Sequence, residues 1–92
     1  MARSILTDDL THCFICGHDN AHVHHVFYGR NRRNADEDGL TIGLCYRHHN
    51  GSDEGIHFCH QLDTQIKLMA QKKYEESHTR DDFIKRYGKS YI

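Results

Sequence analysis

The chain has 92 residues and a formal charge of −1, from 12 basic and 13 acidic side chains. This length indicates one small domain, and with 37% hydrophobic residues its core is expected to need a metal, a disulfide or a partner. The balanced charge excludes the class of proteins that bind nucleic acid through a large positive net charge, but it allows a local basic patch. With no apolar run of roughly 18 residues and no signal-peptide core at the start, we expect no membrane contact and a cytoplasmic location.

The unusual feature of the composition is ten histidines together with four cysteines. A chain without a secretory signal is expected to keep its thiols reduced, so cysteine and histidine together indicate metal ligands. We predict a short arm over residues 1–12, a zinc knuckle and the core of the domain over 13–58, and helices over 59–92.

The first predicted element after the arm is a metal-binding turn. Cys13 and Cys16 are separated by two residues and followed by Gly17, which is typical of a zinc knuckle. Cys45 and His48 repeat the two-residue spacing, so the two half-sites supply the four N and S ligands of a structural Zn²⁺. The alternative is a set of unliganded buried thiols. Cys59 is left over, either as a competing ligand or, as we expect, with no metal role.

The segment between the half-sites predicts a β-hairpin. Residues 22–28 are β-branched and aromatic and predict one strand, and the alternation in residues 40–44 predicts its antiparallel partner. The charged residues 30–39 between them predict a polar loop.

Two helices are predicted in the second half of the chain. Over about residues 59–77, apolar side chains recur at helical spacing, and Asp63/Lys67 and Lys72/Glu76 are expected to pair on the exposed side. Thr79 to Asp82 match a capping box, and Gly88 is placed to end the second helix. The predicted fold class is therefore α+β, a small zinc-stapled domain of a β-hairpin and helices.

The histidines exceed what the zinc site needs. After His48 is assigned, five others lie in or beside the hairpin: His22, His24, His25, His49 and His57. Neighbours on a strand point to opposite faces unless a bulge intervenes, so His24 and His25 are expected to have different roles.

The order of these motifs resembles the HNH (His-Me finger, ββα-metal) nucleases, and most of all their small phage-type members. The shared features are Cys-x2-Cys, His24-His25 followed by a glycine, Gly-Leu-x3-Leu-Cys-x2-His-His, Gly55-x-His57 and a final Tyr87-Gly88-x2-Tyr91. The resemblance runs from Cys13 to the end of the chain. It implies a metal-dependent DNA endonuclease, phage-encoded and active in the host cytoplasm.

The resemblance also implies roles for individual histidines. His25 matches the general base that activates water, and His24, His49 and His57 match ligands of a catalytic divalent metal. Imidazole ligands suit Mn²⁺, Co²⁺, Ni²⁺ or Zn²⁺, and Mg²⁺ would need oxygens from phosphate, water, Asp53 or Glu54.

The chain departs from the family pattern at two positions. Asp38-Gly39 stands where the motif has its central asparagine, which orients the base, and Asn34 or Asn50 can substitute for it in space. His22 stands where relatives often have glutamate.

Two basic groups are candidates for DNA contact. Arg30, Arg32 and Arg33 follow the histidine strand, and Lys72 and Lys73 lead a second group with Lys85, Arg86 and Lys89. The alternative is that the arginines balance the neighbouring acids in a solvated loop. Two other functions stay open: a non-catalytic zinc module that binds nucleic acid or protein, and an accessory factor in phage packaging or recombination. The sequence does not indicate an oligomeric state.

Overall fold

The structure, a computed structural model, describes residues 3–50 and 59–92 and has the predicted α+β composition. In chain order its elements are β1 (His22–His25), a 3-10 turn (Gly29–Asn31), α1 (Arg32–Asp38), β2 (Thr41–Leu44), α2 (Tyr46–Asn50), α3 (His60–Tyr74) and α4 (Arg80–Tyr87). No helix among the described residues is both long enough and apolar enough to cross a membrane.

The predicted hairpin is confirmed, with a shorter first strand. β1 and β2 are antiparallel, and His24 lies opposite Ile42. The strand prediction to residue 28 was wrong, because β1 ends at His25. The adjacent side chains of Val26 and Phe27 are both buried, at 0% and 2% exposure, so they break the alternation of a strand.

The N-terminal arm runs along β2. The Ser4 hydroxyl donates to the carbonyl of Thr41 at 2.6 Å, and the amide of Phe14 donates to the carbonyl of Gly43 at 2.7 Å. A Cβ atom at Gly43 would lie 2.7 Å from the carbonyl oxygen of Leu10, so this position requires glycine. The arm thereby satisfies backbone groups on a strand edge that would otherwise be open to other chains.

The predicted polar loop of residues 30–39 is mostly helical, so that prediction was wrong. The 3-10 turn leads directly into α1, which buries Ala35 at 0% exposure and ends at Gly39, in the left-handed region at φ 73°. Asp38 accepts hydrogen bonds from Arg86 Nε at 2.5 Å and from the Tyr87 hydroxyl at 2.6 Å. Two acidic residues of this segment, Glu37 and Asp38, are therefore paired with Arg86 of α4, which a solvated loop would not allow.

The two C-terminal helices are confirmed. α3 buries Ile66, Ala70 and Tyr74, close to the predicted face. At α4 the amide of Asp82 donates to the Thr79 hydroxyl at 3.1 Å, and the amide of Thr79 donates to the Asp82 carboxylate at 3.2 Å. This is the predicted capping box.

Of the two pairs predicted on the exposed side of α3, Asp63/Lys67 is largely covered by the fold, and Glu76 pairs with Lys73, one residue after the predicted Lys72. Lys67 Nζ lies 2.9 Å from Asp63 Oδ2, and these side chains are 14% and 10% exposed. The rings of Tyr28 and Tyr91 cover the ammonium group, with centroids 4.5 and 5.7 Å from Nζ. Burial acts to lower the pKa of Lys67, but the hydrogen bond and charge of Asp63 outweigh it and raise the pKa.

Candidate metal centre and histidine cavity

The first half of the metal centre is a tight turn between the arm and β1. The amide of Gly17 donates to the carbonyl of Cys13 at 2.8 Å, and the amide of Cys13 donates to the carbonyl of His18 at 2.8 Å. Gly17 lies in the left-handed region, at φ 76°. These bonds fold the segment so that the side chains of Cys13 and Cys16 reach the same point.

The second half-site places Cys45 after β2 and His48 one turn later in α2. His48 Nδ1 lies 3.5 Å from Cys13 Sγ and 3.3 Å from Cys45 Sγ, and the sulfurs of Cys16 and Cys45 are 3.7 Å apart. A tetrahedral Zn²⁺ with Zn–S near 2.3 Å and Zn–N near 2.0 Å has S···S edges of about 3.8 Å and S···N edges of about 3.5 Å. The four donor atoms, all within 4.8 Å of one another, therefore fit a structural zinc ion.

The thiols of this group differ in how readily they ionise. Burial acts to raise the pKa of Cys13, but backbone amide bonds from Cys45, Cys16 and Ile15 outweigh it and lower the pKa from 9.0 to about 6. The amide of His18 acts to lower the pKa of Cys16, but burial and the nearby sulfurs outweigh it and raise the pKa. Backbone amides thus favour the thiolate form, which metals require, at Cys13.

Within residues 3–50 and 59–92, this cluster is the one group of three or more Cys, His, Asp or Glu donors close enough to share an ion. Cys59 is outside it, at the residue before α3, where its carbonyl accepts from the amide of Asp63 at 3.0 Å. The fourth cysteine is therefore available as a matched control for the other three.

A second histidine site is partly assembled. The rings of His24 on β1 and His49 on α2 meet edge to face, with centroids 5.2 Å apart. This distance is ordinary for packed rings, and it brings two of the predicted second-metal ligands into contact. The rings line a cavity of about 210 Å³, here called the histidine cavity, with Val23, His25, Tyr28 and Arg32. His57, Asp53 and Glu54 lie outside the described residues.

His25 has a carboxylate partner that sequence reasoning missed. His25 Nε2 lies 2.9 Å from Oδ1 of Asp36 on α1, and these side chains are 11% and 34% exposed. An ionised carboxylate can only accept a hydrogen bond, so Nε2 carries the proton and Nδ1 keeps its lone pair in the neutral ring. The signal was present in the acidic residues of segment 30–39, but it needed α1 to be recognised as a helix.

The residues suggested as replacements for the motif asparagine, which orients the base, differ in their contacts. Asp38 bonds to Arg86 and Tyr87, and the side-chain amide of Asn34 donates to the carbonyl of Arg86 at 3.1 Å. The side chain of Asn50 lies outside the described part. Among the described side chains, the one within hydrogen-bonding distance of His25 is that of Asp36, two residues before the predicted position.

A second cavity, of about 490 Å³ and here called the arginine cavity, adjoins the first. It is lined by Arg30, Arg32, Arg33, Gly29, Asp36 and His25. His25 and Arg32 line both cavities. Arg33 pairs with Glu37 at 3.4 Å with 89% of its side chain exposed, an arrangement that contributes little to stability.

The predicted lysines lie elsewhere. Lys72 and Lys73 line a separate groove between α3 and the arm, together with Ile5 and Leu6. Lys73 also pairs with Glu76 at 3.2 Å. The arginines, and not these lysines, border the cavities that contain His25.

Comparisons with protein-family models, with curated proteins and with solved structures found no match to this chain. The chemistry of the site therefore has to be argued from its own residues.

Proposed function

We propose that this protein is a metal-dependent endonuclease that hydrolyses phosphodiester bonds in DNA. The observation that carries the proposal is the position of His25, held by a carboxylate where the histidine cavity and the arginine cavity meet. A base, a pair of ligands and a group of cations on adjoining surfaces are the components that phosphodiester hydrolysis needs.

His25 has the contacts expected of a general base. The Asp36 carboxylate accepts from Nε2–H, which fixes the ring and its tautomer. In the proposed reaction Nδ1 takes a proton from water, the water oxygen attacks phosphorus, and the bond to the leaving sugar oxygen breaks.

His24 and His49 are the described residues that would hold the divalent ion. Such an ion stabilises charge on the phosphate and the leaving oxygen. His24 is 3% exposed and packs against the rings of Tyr28 and His49, so its orientation is fixed before substrate arrives. Pre-orientation of this kind lowers the entropy cost of reaching the reactive geometry.

Arg30, Arg32 and Arg33 are proposed to hold the DNA backbone. They line the same cavity as His25 and Asp36, so a strand bound there would lie beside the base. Backbone contacts by a few cations give sequence-independent binding that weakens with salt. The zinc cluster serves the fold and fixes the start of α2, which carries His49.

The test compares plasmid nicking by zinc-loaded wild type, three site variants and one control variant in Mn²⁺, Mg²⁺, Co²⁺ or Ni²⁺. We expect His25→Ala to lower cleavage about 10²–10⁴-fold with zinc content, melting temperature and second-metal binding unchanged. Asp36→Asn is expected to cause a smaller loss, since the base remains but its partner no longer fixes the tautomer. His24→Ala is expected to weaken binding of the second metal and to lower cleavage, and excess metal ion is expected to restore part of the cleavage. His60→Ala, at the exposed start of α3, is the control.

The alternative function, a non-catalytic zinc module, predicts a different result. Such a module would bind one equivalent of divalent ion and cleave no plasmid with any metal. That outcome, or a wild-type nicking rate in His25→Ala, would contradict the proposal.

A further inference from the structure

We propose that Tyr46 and Arg47, at the start of α2, bind an unpaired nucleobase and its phosphate beside the cleavage site. The proposal rests on the nuclease function above and adds a substrate class, DNA with unpaired bases next to the scissile bond.

Tyr46 has an exposure that the fold does not explain. Of the large apolar side chains that reach the surface in the described residues, it is the most exposed, at 71%. Tyrosine is also a weaker helix former than alanine, lysine or glutamate, which exposed helical positions favour. Neither packing nor helix propensity therefore accounts for an aromatic ring at this position.

Tyr46 is next in sequence to the zinc ligand Cys45, and the other half-site also exposes large apolar side chains. Phe14 and Ile15, at the tip of the knuckle, are 36% and 38% exposed. The contact between the sulfurs of Cys16 and Cys45, at 3.7 Å, brings this tip to the residue before Tyr46. Three large side chains from the two halves of the zinc cluster are thus partly or largely exposed, in sequence next to or one residue from a zinc ligand.

Charge and shape at this surface favour a nucleotide. Tyr46 and Arg47 line a cavity of about 360 Å³ together with His18 and two of the cysteines. This volume is in the range of small-molecule sites, roughly 300–1,000 Å³, so it has room for a base. Arg47, directly after Tyr46, supplies a cation for the phosphate. Any of the bases can stack on an aromatic ring such as that of Tyr46.

The position of Tyr46 relative to the histidine cavity indicates which nucleotide it binds. Tyr46 and His49 are three residues apart in α2, so they share a face with Cβ atoms roughly 5–6 Å apart. This separation is comparable with the spacing of neighbouring nucleotides along a DNA strand, so a strand with a phosphate at His49 reaches Tyr46 within one or two nucleotides. Paired bases in a duplex are stacked on each other, so this ring can take only an unpaired one.

The experiment measures binding without cleavage. Zinc-loaded protein with no second metal is titrated into a fluorescein-labelled 12-nucleotide single strand and into the matching duplex. We expect Tyr46→Ala to weaken single-strand binding about 5- to 150-fold and duplex binding less than about twofold. Tyr46→Phe is expected to retain the affinity. Ile92→Ala, also exposed, at 46%, is the control.

An independent measurement uses the intrinsic fluorescence of the chain, which has five tyrosines and no tryptophan. Stacking on Tyr46 is expected to quench tyrosine emission when the single strand binds, and Tyr46→Phe is expected to remove that quenching while binding persists. Equal weakening of both nucleic acids by Tyr46→Ala, or no weakening, would overturn the proposal.

The outcome separates this proposal from the nuclease function. If no DNA is cleaved with any ion and Tyr46→Ala still weakens single-strand binding selectively, the nuclease proposal fails and the base-binding proposal stands. If plasmid is cleaved and Tyr46→Ala leaves single-strand binding unchanged, the base-binding proposal alone fails.

Discussion

Replacing Cys16 with serine is expected to remove the cooperative folding of this protein at pH 7. The sulfur of Cys16 is 3.7 Å from that of Cys45, and the two residues are 29 positions apart in the chain. A zinc ion at this point ties the knuckle to the end of β2, so its loss releases the arm, the hairpin and α2 together.

The expected magnitude follows from the size of the domain. Structural zinc contributes about 10–16 kcal/mol in zinc-finger peptides at pH 7, whereas a whole domain is stable by about 5–15 kcal/mol. Two of the ligands, Cys13 and Cys45, are themselves part of the buried core. Losing half of the metal contribution is therefore comparable with the whole free energy of unfolding.

The assay is thermal unfolding by far-ultraviolet circular dichroism, with zinc measured on the same samples. Cys16→Ser is expected to contain little zinc and to show no cooperative transition. Cys59→Ser, which changes the cysteine outside the cluster, is expected to match wild type in both respects. A zinc-free Cys16→Ser protein that melts at the wild-type temperature would refute the reasoning.

Two further predictions concern buried charge and acidity. Lys67→Met leaves the Asp63 carboxylate buried without its cation, so we expect the free energy of unfolding, measured with urea, to fall by about 3–5 kcal/mol. Most of this loss is expected to be recovered in the double variant that also carries Asp63→Leu. Equal stability of Lys67→Met and wild type would contradict this. Zinc affinity is expected to fall as the pH drops below about 6, because the metal-free folded chain lowers the pKa of Cys13 from 9.0 to about 6 and protons then compete with zinc for this thiolate. A competition titration with a colorimetric zinc chelator at pH 7 and pH 5 measures this, and equal affinity at the two pH values would contradict it.

Features that depend on neighbours a few residues apart were predicted from the sequence. The capping box at Thr79, the glycine turn after Cys16 and the pairing of β1 with β2 are set by local hydrogen bonds and by the alternation of side chains. The Cys13, Cys16, Cys45 and His48 cluster was also predicted, because ligand type and spacing restrict which turns can meet around one ion.

Tertiary structure decided which charged side chains face solvent and which have partners. The segment of Asp36 and Asp38 was predicted as a loop because its charges suggested solvation. Instead, Asp38 pairs with Arg86, 48 residues away, and Asp36 pairs with His25, 11 residues away. The ammonium group of Lys67 is covered by the rings of Tyr28 and Tyr91, which belong to distant parts of the chain. A charged residue has the same local pattern whether water or a distant partner satisfies it, so only the folded chain shows which of the two it has.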